Sequence, residues 1–403
     1  MSRGRSSACR SMKKVLILNH NQEQHGTYYR CLFLGKGLAQ RGYQVSMICA
    51  SGRDFDLMIR RQHVTDNFKI YTLPRVKYHK YFTGQLLRMF ITAVWALFAR
   101  FDVCLAFTVA QAQIAVPAWV AKVLRKKPLV IDWDDMWGGG FAEEHSALVS
   151  SVLSFCERYF LIYADKITFV SEAIREEIDI AAKQYPRIAS IPKIKIPNGA
   201  NTAQIIMREK DASRRELGIA DTIVLLSVGN TYTDSLGLML TAFDAVRTKR
   251  PEAVLYLVGG VEMPDRFLRI FEKNREAIRL TGKMPFSAVP AYMGAADVLL
   301  LPYTHVFQSG VLFLGYSFGL PVIAADVGSL REEILEGKTG FVFPAGDSAG
   351  MTKAIEKYFS SDLYKNLDDR RQEIQAYANE RYSWRKVGSM TRAVYSELLL
   401  TRN

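Results

Sequence analysis

Cysteine is scarce in this sequence of 403 residues, and the five that occur are scattered. No Cys-x-x-Cys pair exists, which argues against a disulfide framework and favours a reducing compartment. Long apolar runs are also missing. The strongest candidate, residues 86–99, is shorter than the roughly 20 apolar residues that a membrane-spanning helix needs. Arg88 interrupts it, and we expect a core helix there, with shallow burial in a membrane surface as the alternative.

Motifs of several other protein classes are absent as well. No Gly-x-Gly-x-x-Gly follows the first predicted strand, so the sequence lacks a dinucleotide-binding fingerprint. It also lacks a recognition helix, zinc-site spacing and an RNA-binding motif, and we expect no nucleic-acid partner. The first residues are basic and small-polar without an apolar run. We therefore predict no secretory signal, and we expect residues 1–12 to be a disordered basic tail.

Positive charge is concentrated in one half of the sequence. The formal net charge is +13, and the first 200 residues carry nearly all of it, with 28 lysines and arginines against 16 aspartates and glutamates. Such a surplus suits an anionic membrane surface, a phosphate-bearing lipid or nucleic acid, unless it only keeps the protein soluble. Residues 54–83 interleave basic and aromatic side chains. We interpret them as a surface loop or as an acceptor or lipid-headgroup surface.

Short apolar strands alternate with helical patterns along most of the chain. The first unit of this kind has a strand at residues 13–19, a helix ending near residue 40 and a strand at residues 44–49. A second series begins with the strand at residues 222–228 and ends in helices at residues 351–400. At this chain length the alternation predicts two α/β domains, each with a full core.

Polar residues follow two of the predicted strands in the first half. Gly26 lets the backbone approach a ligand closely; Thr27 follows it directly, and Arg30 follows four positions later. Arg30 is interpreted either as a phosphate ligand or as an ordinary solvated helix residue. The strand at residues 129–131 leads into Asp132-Trp133-Asp134-Asp135, whose three carboxylates are expected to point into the crevice at the carboxyl edge of the sheet. The Asp-x-Asp pattern here can bind a metal, but three residues are a weak signal, and we favour a cleft-lining or capping role.

The most informative stretch is residues 308–347. Ser309 is placed to cap a helix whose first turn would present free backbone N–H groups, which bind anions. Gly319 ends that helix, and a short buried strand follows at residues 320–324. The turn Asp326-Val327-Gly328 then lies at the carboxyl end of this strand, where open α/β sheets bind their ligands.

This stretch resembles the nucleotide-sugar site of the family-4 retaining glycosyltransferases of the GT-B fold. The resemblance rests on an ordered set of matches: Ser309-Gly310-Val311, residues 319–324, Asp326-Val327-Gly328, Glu332, Gly337, Thr339-Gly340 and Pro344. Weaker matches extend it from residue 13 to about residue 400. Among them is Pro197-Asn198-Gly199, which in the family closes the first domain. A generic α/β crossover is the alternative explanation.

The resemblance implies an α/β protein of two Rossmann-like, doubly wound domains facing across a cleft. The implied activity is transfer of a sugar from a nucleotide-diphosphate donor to a hydroxyl acceptor, with retention of configuration. No essential metal or other cofactor is expected, because N–H groups and side chains carry the charge of the leaving diphosphate. The residues assigned to donor binding are Gly26, Thr27, Arg30, Asn230, Lys283, Gln308, Ser309, Gly310, Val311 and Glu332.

Several positions depart from the family pattern. In the family a histidine often precedes an aspartate beside the reacting sugar, and Asp134 stands in that place here. We therefore assign the acceptor hydroxyl, or its proton, to Asp134 or Asp135. The family's arginine in the turn after the first strand of the second domain is replaced by Asn230, and no lysine follows before residue 249. Two family glutamates, eight positions apart, correspond here to Val306 and Leu314.

These departures leave two functions open. Either the donor site is rebuilt, with Arg30 or Lys283 supplying positive charge, or the protein is a catalytically silent GT-B protein that binds a partner or a sugar nucleotide. We predict an acceptor-side domain at residues 13–200, a nucleotide-sugar-binding domain at residues 201–380 and a last helix, residues 381–403, that packs back on the first domain. The basic first half suggests a lipid-linked or oligosaccharide acceptor, as in cell-surface polysaccharide, lipopolysaccharide or glycolipid assembly, with peripheral membrane contact. The expected location is the cytoplasm, at the inner face of the membrane.

Overall fold

The computed structural model describes residues 12–24, 26–53, 56–75, 82–139, 146–200, 209–220, 222–229, 231 and 233–400. The tail predicted at residues 1–12 lies almost wholly outside the described residues. The chain forms two compact units. The first comprises the chain as far as Val170, Ile174–Pro197 and the chain from Val387 onward, and the second comprises Ser171–Ala173 and Asn198–Lys386.

The first unit is built on an eight-stranded sheet. Its elements are β1 (Lys14–Gln22), α1 (Tyr28–Ala39), β2 (Gln44–Ala50), β3 (Arg60–Thr65), β4 (Phe68–Leu73), α2 (Phe82–Phe98), β5 (Val103–Phe107), α3 (Ala112–Trp119), β6 (Leu129–Trp133), α4 (Ala147–Tyr159), β7 (Lys166–Phe169), α5 (Glu172–Gln184) and β8 (Lys193–Lys195). The strand order is β3-β4-β2-β1-β5-β6-β7-β8, and every neighbouring pair is parallel except β3 with β4.

The second unit is built on a six-stranded, all-parallel sheet in the order β11-β10-β9-β12-β13-β14. Its elements are α6 (Lys210–Leu217), β9 (Ile223–Val228), α7 (Thr233–Lys249), β10 (Ala253–Val258), α8 (Asp265–Lys273), β11 (Ile278–Gly282), α9 (Val289–Ala295), β12 (Val298–Leu301), α10 (Gly310–Ser317), β13 (Val322–Ala325), α11 (Leu330–Glu333), β14 (Gly340–Phe343), α12 (Ser348–Ser360), α13 (Asp362–Lys365) and α14 (Leu367–Tyr382). The last helix, α15 (Trp384–Leu400), begins in this unit and continues into the first.

Central strands of both sheets are buried on both faces. Every residue of β5, β6, β12 and β13 is buried, which is the condition of parallel strands that helices cover from both sides. In each sheet the chain leaves a central strand on one side and later returns on the other, so β1 lies beside β5 and β9 beside β12. Such a switch point opens a crevice at the carboxyl ends of the two strands. The predicted fold of two doubly wound α/β domains is confirmed.

Within residues 54–83, where composition predicts a surface loop or an acceptor surface, the structure has two strands, β3 and β4; residues 54, 55 and 76–81 lie outside the described residues. β4 buries Phe68, Ile70 and Leu73 and lies parallel to β2, while β3 pairs antiparallel with β4 at the edge of the sheet. β3 carries basic or polar side chains at every position except Val64, beginning with Arg60 and Arg61. Charged side chains on an edge strand prevent pairing with another chain. A strand without an apolar face has no periodicity to detect, so the loop interpretation was wrong for the residues of β3 and β4. The alternative interpretation, an acceptor or lipid-headgroup surface, stays a prediction.

Helix α2 corresponds to the apolar run at residues 86–99. It buries Ala96 but leaves Leu87, Phe90 and Phe98 exposed by 46%, 65% and 76%, so one of its faces is open to solvent. In the part of the chain that the structure describes, no helix combines the length and the apolar character that crossing a bilayer requires.

The turn at Gly319 generates a prediction, because Gly319 and Gly218 share one backbone conformation in different surroundings. Both have a left-handed φ, of +65° and +64°. A methyl group at Gly218 would meet nothing within 4 Å, whereas one at Gly319 would overlap the backbone carbonyl of Arg371. Gly218→Ala should lower the free energy of unfolding by about 1 kcal/mol. Gly319→Ala should cost about 3 kcal/mol or more, since clash adds to strain. Urea unfolding of both variants measures the difference; equal losses would contradict the close packing at Gly319.

Candidate functional site

A buried ion pair organises the carboxyl edge of the first sheet. Arg30, on α1, contacts Asp132, on β6, through Nε to Oδ1 at 2.9 Å and Nη2 to Oδ2 at 3.0 Å. Asp132 also accepts from Thr168 Oγ1 at 2.6 Å, and Arg30 donates to the carbonyl of Ile196 at 2.7 Å. The two charged side chains are 3% and 1% exposed. The pair therefore ties α1 and three segments of the sheet together.

This arrangement corrects one expectation and constrains another. Asp132 does not point into the crevice, and its oxygens are engaged by Arg30 and Thr168, so the Asp-x-Asp pattern does not present two carboxylates to a metal. Among the described residues, no group of three or more potential metal-binding side chains is found. Arg30 remains a predicted donor-binding residue, but its guanidinium is already used, and contact with a phosphate would require the ion pair to open.

Asp134 lies at the switch point between β1 and β5. Its Oδ1 accepts from Thr108 Oγ1 at 2.5 Å, and its carboxylate is also hydrogen-bonded by Thr27. Burial raises the pKa of Asp134, against the opposing effects of Arg30 and the two threonines. Thr108 has φ +47°, an uncommon conformation for a β-branched residue, and such strain is typical of functional sites. The structure thus brings together Thr27 and Asp134, two of the residues predicted from the sequence.

Asp135 has a different environment from its neighbour. Its Oδ1 accepts from the backbone N–H of Met136 at 3.0 Å, and its carbonyl accepts from Trp133 Nε1 at 2.9 Å. Burial, and next the negative charge of Asp134, raise the pKa of Asp135 to about 8. The carboxyl group therefore holds a proton at neutral pH. Two adjacent aspartates in unlike surroundings can divide the roles of hydrogen-bond donor and acceptor.

Glu157 is a residue of this region that the sequence analysis missed. It lies on α4, is 3% exposed, and accepts from the backbone N–H groups of Trp137 and Gly138. A side chain at Gly138 would overlap Ser154 of the same helix, so only glycine permits this approach. Burial raises the pKa of Glu157 to about 7. Glu157 therefore fixes the loop that carries Asp134 and Asp135; the only sequence signal was a glutamate within an apolar helix.

In the second unit, the turn before α10 lies at the switch point between β9 and β12. Ser309 caps α10 as predicted, with Oγ accepting from the N–H of Leu312 at 3.3 Å and lying 3.4 Å from the hydroxyl of Tyr303. Helix geometry leaves the N–H groups of Gly310 and Val311 without intrahelical acceptors. Gly310 is exposed, and a methyl group there would meet nothing within 4 Å. The start of α10 is therefore open to an anion.

The carboxamide of Gln308 is held by two groups of the second unit. Its Oε1 accepts from the N–H of Asn198 at 2.8 Å, and its Nε2 donates to Glu333. The predicted donor-binding residue Glu332 is exposed, whereas the adjacent Glu333 is 3% exposed. Consecutive residues of a helix point in different directions. The glutamate that contacts Gln308 is therefore Glu333, whereas the family resemblance pointed to Glu332.

Two family models match the chain. The model described as glycosyl transferase 4-like domain matches residues 26–192, and the model described as glycosyl transferases group 1 matches residues 222–361. The chain belongs to the family-4 glycosyltransferases. The two matches fall on the two units of the fold, each covering a switch point with its polar residues.

Curated relatives match this glycosyltransferase over part of their length. The phosphatidyl-myo-inositol mannosyltransferase of Mycobacterium leprae is 26% identical over 54% of the chain and 57% of the relative. The glycogen synthase of Mycobacterium tuberculosis is 26% identical over 63% of the chain and 60% of the relative. The matched stretches thus span little more than half the length of these relatives.

Solved structures match over nearly the whole chain. Sucrose-phosphate synthase of Thermosynechococcus elongatus gives a TM-score of 0.74 at 16% identity and covers 96% of this chain and 100% of its own. HepE of Anabaena in complex with UDP gives 0.68 at 17% identity, with coverages of 95% and 100%. At these identities the likeness shows the fold alone, and the fold is GT-B.

The remaining predicted site residues of the glycosyltransferase are spread over both units. Gly26 lies in the loop after β1 with φ +50°, and Val311 is half-buried in the first turn of α10. Lys283 is exposed just after β11, an edge strand that is separated from β9 by β10. Neighbouring strands lie about 4.8 Å apart, so the backbone of β11 lies roughly 10 Å from that of β9. Asn230 lies outside the described residues.

The pKa of Asp135 predicts how stability depends on pH. The folded chain keeps a proton on this group up to about pH 8, whereas the unfolded chain loses it near pH 3.8. Wild-type stability should therefore fall as pH rises between these values. Asp135→Asn removes this loss, so the variant should be more stable than wild type at pH 9, on the order of 2 kcal/mol, with little difference at pH 4. Thermal unfolding across this range measures the effect; a variant that is less stable at pH 9 would refute the protonated state of Asp135 in the folded chain.

Proposed function

We propose that this glycosyltransferase moves a sugar from a nucleotide-diphosphate donor to a hydroxyl group of an acceptor, with retention of anomeric configuration, in cell-surface polysaccharide or glycolipid assembly. The observation that carries the proposal is the open amino end of α10, where Ser309 caps the helix, Gly310 is exposed, and helix geometry leaves the N–H groups of Gly310 and Val311 without intrahelical acceptors. These N–H groups and the helix dipole stabilise a bound diphosphate. At an exposed site the contribution to the binding free energy is about 0.3–1 kcal/mol per negative charge.

Most residues assigned to donor binding lie in the second unit, while Gly26, Thr27 and Arg30 of the first unit keep that assignment from the family resemblance. The leaving diphosphate gains negative charge as the glycosidic bond breaks, and preoriented N–H groups stabilise that charge without reorganising. Gln308 contributes by its position, because Asn198 and Glu333 fix the residue just before Ser309. Lys283 is assigned a supporting role as an exposed cation, and Glu332 keeps its assignment from the family match. No metal is assigned to this step.

Acceptor activation is assigned to the first unit. Asp134 accepts hydrogen bonds from Thr27 and Thr108 and is placed to accept one from an acceptor hydroxyl. Asp135, which is protonated at neutral pH, is placed to donate. Glu157 acts on them through the loop that it holds, as a positioning residue. As the acceptor oxygen bonds to the sugar carbon, its proton passes to Asp134 or to the departing phosphate oxygen.

A lipid-linked acceptor is supported by the surface of the first unit. Positive charge is concentrated in this half of the sequence, and α2 exposes Leu87, Phe90 and Phe98. A groove of about 570 Å³ lies beside this helix, lined in part by Tyr71, Phe90 and Phe98. Basic charge together with an apolar helix face favours peripheral contact with an anionic membrane. We therefore place the protein at the cytoplasmic face of a membrane, acting on a glycolipid or a lipid-linked oligosaccharide.

A catalytically silent binding protein is the second candidate, and a specific observation favours it. Val306 and Leu314 occupy the positions of two family glutamates, and both pack against the core of the second unit. They offer no hydrogen bond to a sugar or a ribose. A protein of this kind would bind a sugar nucleotide and never turn it over.

The two candidates are separated by a donor panel. Nucleoside diphosphates that raise the melting temperature identify the nucleotide, since a ligand of the folded state must stabilise it. The matching sugar nucleotides are then incubated with the protein, and donor loss and product anomer are followed by NMR. Slow donor hydrolysis, or transfer that keeps the configuration, supports the enzyme. Binding with no turnover at high protein concentration supports the silent protein, and an inverted product contradicts retention.

Substitution at Gly310 tests the anion site directly. Gly310→Asp should weaken nucleoside diphosphate binding by about 100-fold or more, because a carboxylate would repel the phosphates at the helix start. Gly310→Ala is the matched control and should bind within about threefold of wild type, since the added methyl group meets no neighbour. Isothermal titration with the nucleotide from the panel measures both. Equal binding by the Asp variant would move the diphosphate away from α10.

A further inference from the structure

Helix α4 carries its apolar side chains on the outside. Of its thirteen residues only Glu157 is buried. Leu148 is 76% exposed, and Val152 and Phe155 are each 53% exposed. These three residues follow one another at spacings of four and three positions, so they form one stripe along the helix. Apolar side chains ordinarily hold a helix against the core of its domain, whereas this stripe faces solvent.

The stripe lies in a segment without charge and ends among tyrosines. Residues 147–156 contain no lysine, arginine, aspartate or glutamate, in a sequence of which 23% is charged. The ring of Tyr159 stacks on that of Phe155, with ring centres 5.2 Å apart, and its hydroxyl lies 3.4 Å from that of Tyr163. Both tyrosines are half-buried. An uncharged apolar surface bordered by tyrosines is suited to the boundary between hydrocarbon and water, because each tyrosine joins an apolar ring to a polar hydroxyl.

Helix α4 belongs to a layer of helices on one face of the first sheet. The connections from β4 to β5, β5 to β6, β6 to β7 and β7 to β8 cross the sheet in one direction, whereas the connection from β1 to β2 crosses it in the other. Right-handed crossovers therefore place α2, α3, α4 and α5 on one face and α1 on the opposite face. Helix α15 packs against α1, where Gly388 meets Gly37, so it lies on the opposite face too.

Exposed apolar side chains are concentrated on the α2–α5 face. The large ones are Leu86, Leu87, Phe90, Val94 and Phe98 on α2, Val123 and Leu124 after α3, Leu148, Val149, Val152 and Phe155 on α4, and Ile180 on α5. On the opposite face, where α1 and α15 are described in full, these two helices expose only Leu400. Charge agrees with this asymmetry, because residues 82–131 contain six lysines and arginines against one aspartate. A broad apolar face with a positive surplus suits an anionic bilayer better than a compact partner.

We infer that the α2–α5 face of the first unit docks on a membrane and that α4 inserts its apolar stripe into the hydrocarbon. Because α4 leads from β6 to β7, its first turns lie at the carboxyl edge of the sheet. Glu157 accepts from the N–H of Gly138 at 3.1 Å, so the helix lies against the loop that carries Asp134 and Asp135. Docking through α4 holds these two aspartates next to the membrane surface.

This orientation has a consequence for the acceptor, and that consequence rests on the proposed function. A lipid-linked acceptor could present its hydroxyl to Asp134 while its hydrocarbon stays in the bilayer. No lipid would have to be extracted into water, which would cost the transfer free energy of each exposed methylene group. Membrane contact itself follows from the exposed face and does not depend on the reaction.

Vesicle binding at two salt concentrations tests the insertion of α4. Flotation with vesicles of phosphatidylcholine and phosphatidylglycerol is compared at low salt and at about 0.5 M sodium chloride, where surface charge is screened. We expect Leu148→Ser/Val152→Ser to bind about tenfold or more weakly than wild type at high salt, because two apolar side chains no longer enter hydrocarbon. The matched control is Leu268→Ser, at an exposed leucine of α8 in the second unit, and should bind as wild type. Equal binding by wild type and the double variant at high salt overturns the insertion, and so does a wild type that does not bind vesicles.

Folding and depth are measured on the same helix. The double variant should melt as wild type does, since the changed side chains are already exposed. The single variant Leu148→Trp reports depth, because the fluorescence that it adds should be quenched by brominated phosphatidylcholine. Leu268→Trp is its control and should escape quenching. Equal quenching of the two variants would contradict docking through α4.

Sedimentation tests the other occupant of an exposed apolar face, a second copy of this chain. A wild-type dimer that Leu148→Ser converts to a monomer would make α4 an interface between copies and would overturn the inference, whereas an unchanged mass supports it. Nucleotide binding at α10 is measured on the same variants and should equal that of wild type. Failure of vesicle binding would therefore leave the proposed transferase intact, and failure of nucleotide binding would leave the membrane contact intact.

Discussion

The buried contact between Arg30 and Asp132 is the interaction on which the first unit depends. It joins the first helix to a central strand, and the same two side chains reach Thr168 and the carbonyl of Ile196. Removing one partner of such a pair leaves an uncompensated charge in a low dielectric, at about 3–5 kcal/mol. The pair fixes the start of α1, which brings Thr27 to Asp134. The geometry of the candidate site therefore follows from a contact that is itself closed to solvent.

The two units solve the same physical problem with different residues. A parallel sheet buries its strands and exposes their carboxyl ends at a switch point, so polar residues collect there. In the first unit these residues are Asp134 and Asp135, whose pKa values are raised, and the two threonines that donate to Asp134. In the second unit the capped start of α10 supplies N–H groups, and a glutamine is held in place before it. One edge is suited to hydroxyl chemistry and the other to an anion.

Much of the fold was predictable, and the failures share a cause. The alternation of strands and helices gave both sheets, and the helix after Ser309 was recognised from its cap and from Gly319. β3 was missed because an edge strand with basic side chains lacks apolar periodicity. Arg30 was interpreted either as a phosphate ligand or as a solvated helix residue. Its actual partner, Asp132, lies 102 positions further along the chain, and no local pattern reveals that the two are in contact. Glu157 and Glu333 were missed because their partners are backbone or amide groups of distant segments.

The sequence by itself determined the family, the two-domain α/β fold and the helix start at which an anion can bind. These properties are encoded by short-range patterns: the spacing of apolar residues, a capping serine and the glycines that end turns. Only the tertiary structure decided which charges are neutralised and which remain. It paired Arg30 with Asp132 and placed Asp135 where it keeps its proton. The physical reason is that solvation and charge depend on neighbours in space, and those neighbours come from parts of the chain that no local pattern connects.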